Sequence, residues 1–381
     1  MAHRLVFLVT EDWAFWRHRL PMARAARDAG FEVHLITRAL DRADAIRAEG
    51  ITVHPLDFKR GSVKPADLAT TIGQVRAKLS EINPQLIHNV AMKPLVIGSV
   101  AAWGLDGVAV VNSINGLGSA FIATNLRGRL LRHSLRQTLK MLLNKRYTRT
   151  IVQNPEDLVA IRNFGIDAGQ LALIPGSGVD IDILLPMPEP SLDPIQVAYV
   201  GRMLDDKGLR TLIRAHAILR ARGEAIGLIL AGEPDLENPT SVSHAEFEVW
   251  AKLPGIRCLG HVENIADVWK HAHIAVLPSR GEGLPKSLLE AASCGRPLIA
   301  TDVPGCREIV IDGQTGILVP LNDDMALANA ISDLAHDQAK RERMGRAARI
   351  LTQARFSSAD IGAQTVALYR DLLDKAKPGN N

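Results

Sequence analysis

The stretch HIAVLPSRGEGLPKSLLEAASCGRPLIATD, residues 273–302, decides how the rest of the chain is read. A β-rich run (273–279) gives way to a turn containing Gly281 and Gly283, then to an apolar helical pattern, then to a second β-rich run (297–302). This is a strand–helix–strand unit with parallel strands. The helix is expected to start near Leu284, with Pro285 in its first turn, where a missing N–H costs nothing. Free N–H groups and the positive end of the helix dipole then favour a phosphate, and the glycines let it approach the backbone. Glu282 sits in the turn and Glu290 eight positions later, inside a helix whose composition demands burial. Carboxylates accept paired hydrogen bonds from vicinal hydroxyls, so a sugar diphosphate lying along the helix start would meet both. The plainer alternative is a solvated Glu290 and an ordinary loop acid at Glu282. Spacing alone favours that alternative; the glycines, the proline and the preceding strand reverse the preference.

The same alternation runs outward in both directions. RLVFLVT (4–10), FEVHLIT (31–37), ITVHPL (51–56), QLIHNV (85–90), VAVVNSI (108–114), TIVQN (150–154) and QLALIP (170–175) are strand-like, with helical patterns between them. Residues 176–194 are rich in Pro and Gly and lack either period, which reads as a linker. The pattern restarts with PIQVAYVG (194–201), AIGLILAG (225–232), GIRCLG (255–260) and GILVP (316–320) around the stretch quoted above. The expected architecture is α/β: a first Rossmann-like domain over residues 1–175, the linker, and a second over 195–356, facing each other across a cleft. A final helix in 357–381 would pack back on the first domain. Ligands of open parallel sheets bind beyond the carboxyl ends of the strands, so that is where the chemistry is expected.

Composition narrows the class. A chain of 381 residues suits two domains at roughly 150 residues or more each. Forty-five Lys and Arg against 41 Asp and Glu leave a net charge of only +4, so nucleic acid is not an expected partner. Cys258, Cys294 and Cys306 form no CxxC pair, which argues against a disulfide framework or a thiolate metal site. Glu11 and Asp12 interrupt the first apolar run too early for a signal peptide, and no run approaches the ~20 residues of a membrane span. The expected location is the cytoplasm.

Arg202 follows one strand-like run and Lys207 precedes the next helix in YVGRMLDDKGLRTLIRAH (199–216), two cations placed to neutralise a departing diphosphate. The alternative is a solvated loop. Asn115, Gly116, Leu117 and Gly118 follow another strand and are a candidate donor or acceptor loop, or simply a tight turn. His18, His88 and His261 border strand ends or the helices after them, though a lone histidine is more often a packed or solvated side chain. Asp180 and Asp182 form an Asp-x-Asp in the linker rather than beside a site, so no metal is expected and no cofactor is implied. Residues 127–149 carry eight Arg or Lys, no acid, and a stripe of Leu131, Leu135, Leu139 and Leu142. One face of such a helix is buried; the cations are either solvated or docked on anionic lipid.

Together VGRMLDDKG, LGHVENI, VLPSRGEGLPKSLLEAASCGRPLIATDVPGCREIV and DGQTGILVP resemble the family 4 retaining glycosyltransferases of the GT-B fold. The resemblance spans nearly all of the second domain. It implies that Glu282 holds donor-sugar hydroxyls, Glu290 the ribose of a nucleotide sugar, and Arg202, Lys207 and the amides of Gly283 and Leu284 the diphosphate. Arg280 and Val262 fall where such proteins place the base. In the first domain, FWRHRLPMARAARDAGFEVHLIT, NPQLIHNVAMKP and VNSINGLGSAF resemble enzymes building bacterial surface polysaccharides or lipid-linked oligosaccharides from UDP-sugars. TEDWAFWRHRL replaces the double-glycine loop after the first strand. The implied reaction moves a hexose or N-acetylhexosamine from a UDP-sugar to a glycan or polyprenyl-diphosphate-linked acceptor, with retention by a same-face substitution, at the cytoplasmic side of the membrane. Two other readings share the scaffold: a nucleotide-sugar epimerase, which needs no acceptor, and a non-catalytic nucleotide-sugar sensor.

Overall fold

The computed structural model describes residues 2–58, 64–116, 126–191, 193–235 and 237–376, with 126–133 as backbone alone. It divides into two compact units, one of Met1–Ser177 with Ser358–Asn381, the other of Gly178–Ser357.

The first unit holds β1 (Arg4–Glu11), β2 (Glu32–Arg38), β3 (Thr52–Pro55), β4 (Leu86–Val90), β5 (Ala109–Ile114), β6 (Thr148–Val152) and β7 (Leu171–Leu173). They form one parallel sheet in the order β3-β2-β1-β4-β5-β6-β7. Its helices are α1 (Asp12–His18), α2 (Leu20–Asp28), α3 (Ala43–Ala48), α4 (Pro65–Ile82), α5 (Met92–Ala101), α6 (Leu126–Leu143), α7 (Pro155–Asn163) and, from the chain's end, α15 (Ser358–Ala376). In the second unit β8 (Ile195–Val200), β9 (Ile226–Ala231), β10 (Ile256–Gly260), β11 (Ile274–Leu277), β12 (Leu298–Thr301) and β13 (Gly316–Val319) are parallel in the order β10-β9-β8-β11-β12-β13. Helices α8 (Leu209–Ala221), α9 (His244–Ala251), α10 (Ile265–Lys270), α11 (Lys286–Ser293), α12 (Pro304–Arg307), α13 (Asp324–His336) and α14 (Gln338–Arg355) surround them.

Both sheets are doubly wound, and every strand-like run of the sequence is a strand. Strands covered on both faces are continuous apolar runs, as β9 is, with all six residues buried. In both units the direction of winding reverses between the first strand and the fourth: β1 and β4 in one, β8 and β11 in the other. A crevice opens at such a switch point because the following connections leave on opposite faces.

Within the stretch expected as a linker, 176–194, residues 178–188 are not free. Val179 and Leu184 are buried in the second unit's core. Arg349 donates to the carbonyls of Leu184 (2.7 Å) and Ile181 (2.9 Å), and Arg296 to that of Pro188 (2.8 Å). The chain returns to the first unit through α15, where Gly362 abuts Ala25 on α2 and the fully buried Tyr369 packs edge-on to Phe31.

The basic helix ends at Leu143 rather than continuing to residue 149, because Thr148–Val152 pairs with β5 instead. Leu139, Leu142 and Leu143 are buried with Leu95, Ile114, Val152 and Ile161, so the leucine face belongs to the first unit's core. Leu131 lies among the residues whose side chains are not described. Among the described residues no helix is long and apolar enough to cross a membrane.

Candidate functional site

At the switch point of the second sheet, two strand ends bring six of the expected residues onto neighbouring loops: Arg202 and Lys207 after β8, and Arg280, Glu282, Gly283 and Leu284 after β11. Arg202 follows β8, and its guanidinium pairs with Asp235, beyond β9, at 2.7 Å. Beneath it the fully buried Tyr199 donates its hydroxyl to the Arg202 carbonyl at 2.8 Å. Burial, with Glu282 nearby, pushes that phenol well above its ordinary range, so it remains a donor that fixes the loop.

The chain then makes a 3-10 turn, Asp205–Lys207, and enters α8 through Gly208. Gly208 has φ +72°, and a Cβ there would lie 1.9 Å from the Pro278 carbonyl oxygen at the end of β11. Only glycine allows this contact, which sets Lys207 against the loop after β11. Lys207 Nζ meets Glu282 Oε1 at 2.6 Å, with the side chains 25% and 10% exposed. Ser279 also donates to Glu282 Oε1, at 2.5 Å, and Thr301 donates to the Ser279 carbonyl. Behind the turn stands Gly305 of α12, where a Cβ would fall 2.6 Å from the Glu282 carbonyl oxygen and 2.4 Å from that of Gly283.

The helix α11 starts at Lys286 with Pro285 as its N-cap, rather than near Leu284, because Pro285 keeps an extended ψ of 110°. Gly283 and Leu284 therefore belong to the turn in front of the helix. Glu290 is on the inner side of α11 and only 5% exposed, so the solvated alternative fails. Arg280 is exposed, held by Asp205 at 2.7 Å and Asn322 at 3.2 Å. Val262 is half-buried against the core, and His261 is exposed. Cys306 is fully buried; burial and the Glu282 carboxylate push its thiol well up, and that of Cys294 is pushed up to about 12. Neither is a nucleophile at neutral pH.

The candidates of the first unit separate. His88 is 0% exposed on β4, its ring nitrogens bonded to Tyr369 Oη (2.5 Å) and Ser113 Oγ (2.6 Å). It is a core histidine rather than a ligand contact, held neutral by burial and by Arg19 nearby. His18 is half-buried at the end of α1. Asn115 is exposed one residue past β5, its Oδ1 accepting from Arg19 (2.5 Å) and Gln153 (3.0 Å). Gly116 follows with φ +111°, and Leu117 and Gly118 lie outside the described residues. Asp180 accepts from the amides of Asp182 and Ile183, a local turn. Among the described residues no three His, Cys, Asp or Glu side chains are grouped to hold a metal ion.

A family model described as glycosyl transferases group 1 matches residues 194–337, and one described as glycosyl transferase 4-like matches residues 4–154. The chain belongs to these glycosyltransferases. The N,N'-diacetylbacillosaminyl-diphospho-undecaprenol alpha-1,3-N-acetylgalactosaminyltransferase of Campylobacter jejuni is 25% identical over 351 residues, covering 89% of this chain and 91% of that protein. The capsular polysaccharide biosynthesis glycosyltransferase CapM of Staphylococcus aureus is 28% identical over 185 residues, 49% of this chain and 48% of its own length. Among solved structures, Anabaena HepE in complex with UDP and glucose superposes with a TM-score of 0.76 at 18% identity, covering 97% of this chain and 99% of that one. The fold is GT-B.

In this glycosyltransferase the partners Asp235, Tyr199, Ser279 and Gly305 were not singled out from the sequence. Asp235 and Ser279 each lie just past the carboxyl end of a strand, the one signal that would have marked them. Tyr199 and Gly305 act through packing contacts that have no periodic signature.

Proposed function

We propose that the protein is a retaining hexosyl- or N-acetylhexosaminyltransferase using a UDP-sugar and a glycan or lipid-linked acceptor in cell-surface polysaccharide synthesis. The observation that carries this reading is the Lys207–Glu282 pair at the switch point, 2.6 Å apart, with Lys207 on the loop before α8 and Glu282 in the turn before α11. An incoming diphosphate competes with Glu282 for Lys207, and the freed carboxylate turns to the sugar hydroxyls. Glu290 takes the ribose. Arg202 and Lys207 hold the leaving group; removing one such donor typically costs ~3 to 4 kcal/mol of barrier stabilisation. The bond from the anomeric carbon to the diphosphate oxygen breaks, the acceptor oxygen bonds to the same face, and the acceptor proton passes to the departing diphosphate. The cations supply the charge this needs, so the proposal calls for no metal ion. The relatives support the donor and acceptor classes: HepE was crystallised with UDP and glucose, and the Campylobacter enzyme is named for a diphospho-undecaprenol acceptor. The eight cations and absent acids of 127–149 support docking at the inner face of the membrane, to be read by flotation with anionic vesicles.

The test is a panel of UDP-sugars, first by thermal shift and then by transfer to lipid-linked acceptors in excess EDTA. Lys207→Ala should lower turnover by about 10²- to 10³-fold. Full turnover in that variant, or donor epimerised with no acceptor consumed, would remove the reading.

A further inference from the structure

Arg19 is a large, buried charged side chain of the first unit that the transfer mechanism leaves unexplained. It lies between α1 and α2, is 2% exposed, and among the described residues pairs with no carboxylate. Its Nη1 donates to the His18 carbonyl (3.2 Å) and weakly to Met22 Sδ (3.8 Å), and its Nη2 to Asn115 Oδ1 (2.5 Å). Its Nε has no partner. Arginine is almost never this buried without an acid, because desolvating the charge costs several kcal/mol per ion. Burial lowers its pKa to about 10, so at neutral pH the group remains a cation, and among the described residues its acceptors are all neutral.

Its position gives that cost a purpose. Asn115 is the residue after β5 and Gln153 the residue after β6, adjacent strands of the sheet, and Asn115 Oδ1 accepts from both the Arg19 guanidinium and Gln153 Nε2. The charge is thus delivered to the carboxyl edge of the sheet, where doubly wound folds bind ligands. Asn115 is exposed while Arg19, bonded to it, is shielded from solvent, so the charge is held in place at the sheet's edge by a surface amide.

We propose that Arg19, with Asn115, is the receptor for a phosphate group bound at the carboxyl ends of β5 and β6. The proposal rests on the transferase reading for the source of that phosphate, either the diphosphate of a lipid-linked acceptor or that of the donor. Arg19 is a binding residue, retained at the expense of the fold's stability.

Inorganic pyrophosphate titrated calorimetrically into the full chain tests it, in a Lys207→Ala background that weakens the second unit's own diphosphate site. Adding Arg19→Met should weaken pyrophosphate binding by about tenfold or more, and Arg19→Lys by less. Without the anion, Arg19→Met should melt at the same temperature as its parent or higher, since a buried uncompensated charge is replaced by an apolar side chain of similar length. Unchanged pyrophosphate affinity overturns the proposal, and so does an Arg19→Met chain that unfolds or melts lower, which assigns the charge to the fold. Arg19-dependent binding of geranyl diphosphate but not UDP places the phosphate on the acceptor, and the converse on the donor; both support the site. Arg19-dependent pyrophosphate binding in a chain that transfers no sugar would sink the transferase reading and leave this site standing.

Discussion

His88 shows how a residue can sit at a predicted site and serve another purpose. It borders a strand end in the sequence, yet both ring nitrogens are engaged inside the core, by Tyr369 from the chain's last helix and by Ser113. No local pattern announces a partner 281 positions away. Lys207 and Glu282 were legible because each flanks a strand end within its own short motif; Asp235 and Arg19 were not, since their importance comes from what lies across the fold. The core histidine has a consequence for stability. Burial lowers the pKa of His88 well below its ordinary value, and lowers those of His34, His54, His216 and His273. Below about pH 6.5 the unfolded chain binds protons that the folded chain refuses, so stability is fully present above that pH and falls as the pH drops. The melting temperature should therefore decline from about pH 7.5 to about pH 5.5, and His88→Gln, though less stable throughout, should decline less. Equal slopes for the two proteins would mean that His88 is not held neutral.

At the scale of elements, parallel strands covered on both faces must be apolar throughout, so each was legible as a run; boundaries were less so. Pro285 caps α11 instead of entering it, and the basic helix stops where Thr148 joins β5. Those outcomes depend on neighbouring strands and loops rather than on local propensity. The same dependence places the Glu282 turn. It is backed by α12, where Gly305 leaves no room for a methyl group against the carbonyls of Glu282 and Gly283. These contacts are backbone to backbone and cannot be relieved by a rotamer change. Gly305→Ala should thus displace the turn by a fraction of an ångström to an ångström, and misplacement of that order costs on the order of 10²-fold in turnover. Steady-state kinetics with a UDP-sugar should show this loss with a fall of only a few degrees in melting temperature. Wild-type turnover in Gly305→Ala would show that the turn's position is not critical.

The whole molecule is organised by how the chain is divided rather than by where its linker-like composition lies. Residues rich in Pro and Gly between the two repeats read as a tether, but composition does not say which side a segment is held to, and buried arginines far along the sequence hold this one to the second unit. The second unit, Gly178–Ser357, accordingly keeps its entire hydrophobic core within one continuous stretch. The first does not: its core includes Ile361, Tyr369 and Leu372 of α15 alongside Phe7, Phe31 and Leu86. The continuous piece also contains Arg202, Lys207, Glu282, Glu290 and the partners that position them. At roughly 180 residues it is large enough to bury most of its apolar surface unaided. Expressed alone, Gly178–Ser357 should melt in one cooperative transition that UDP shifts upward, because a ligand binding only the folded form stabilises it by mass action. It should transfer no sugar. Residues 1–177 alone should lack a cooperative transition, since removing α15 strips Tyr369 from His88 and opens the core beside Phe31. An unfolded second-unit fragment, or one blind to UDP while the full chain responds, would place the donor site in more than this unit.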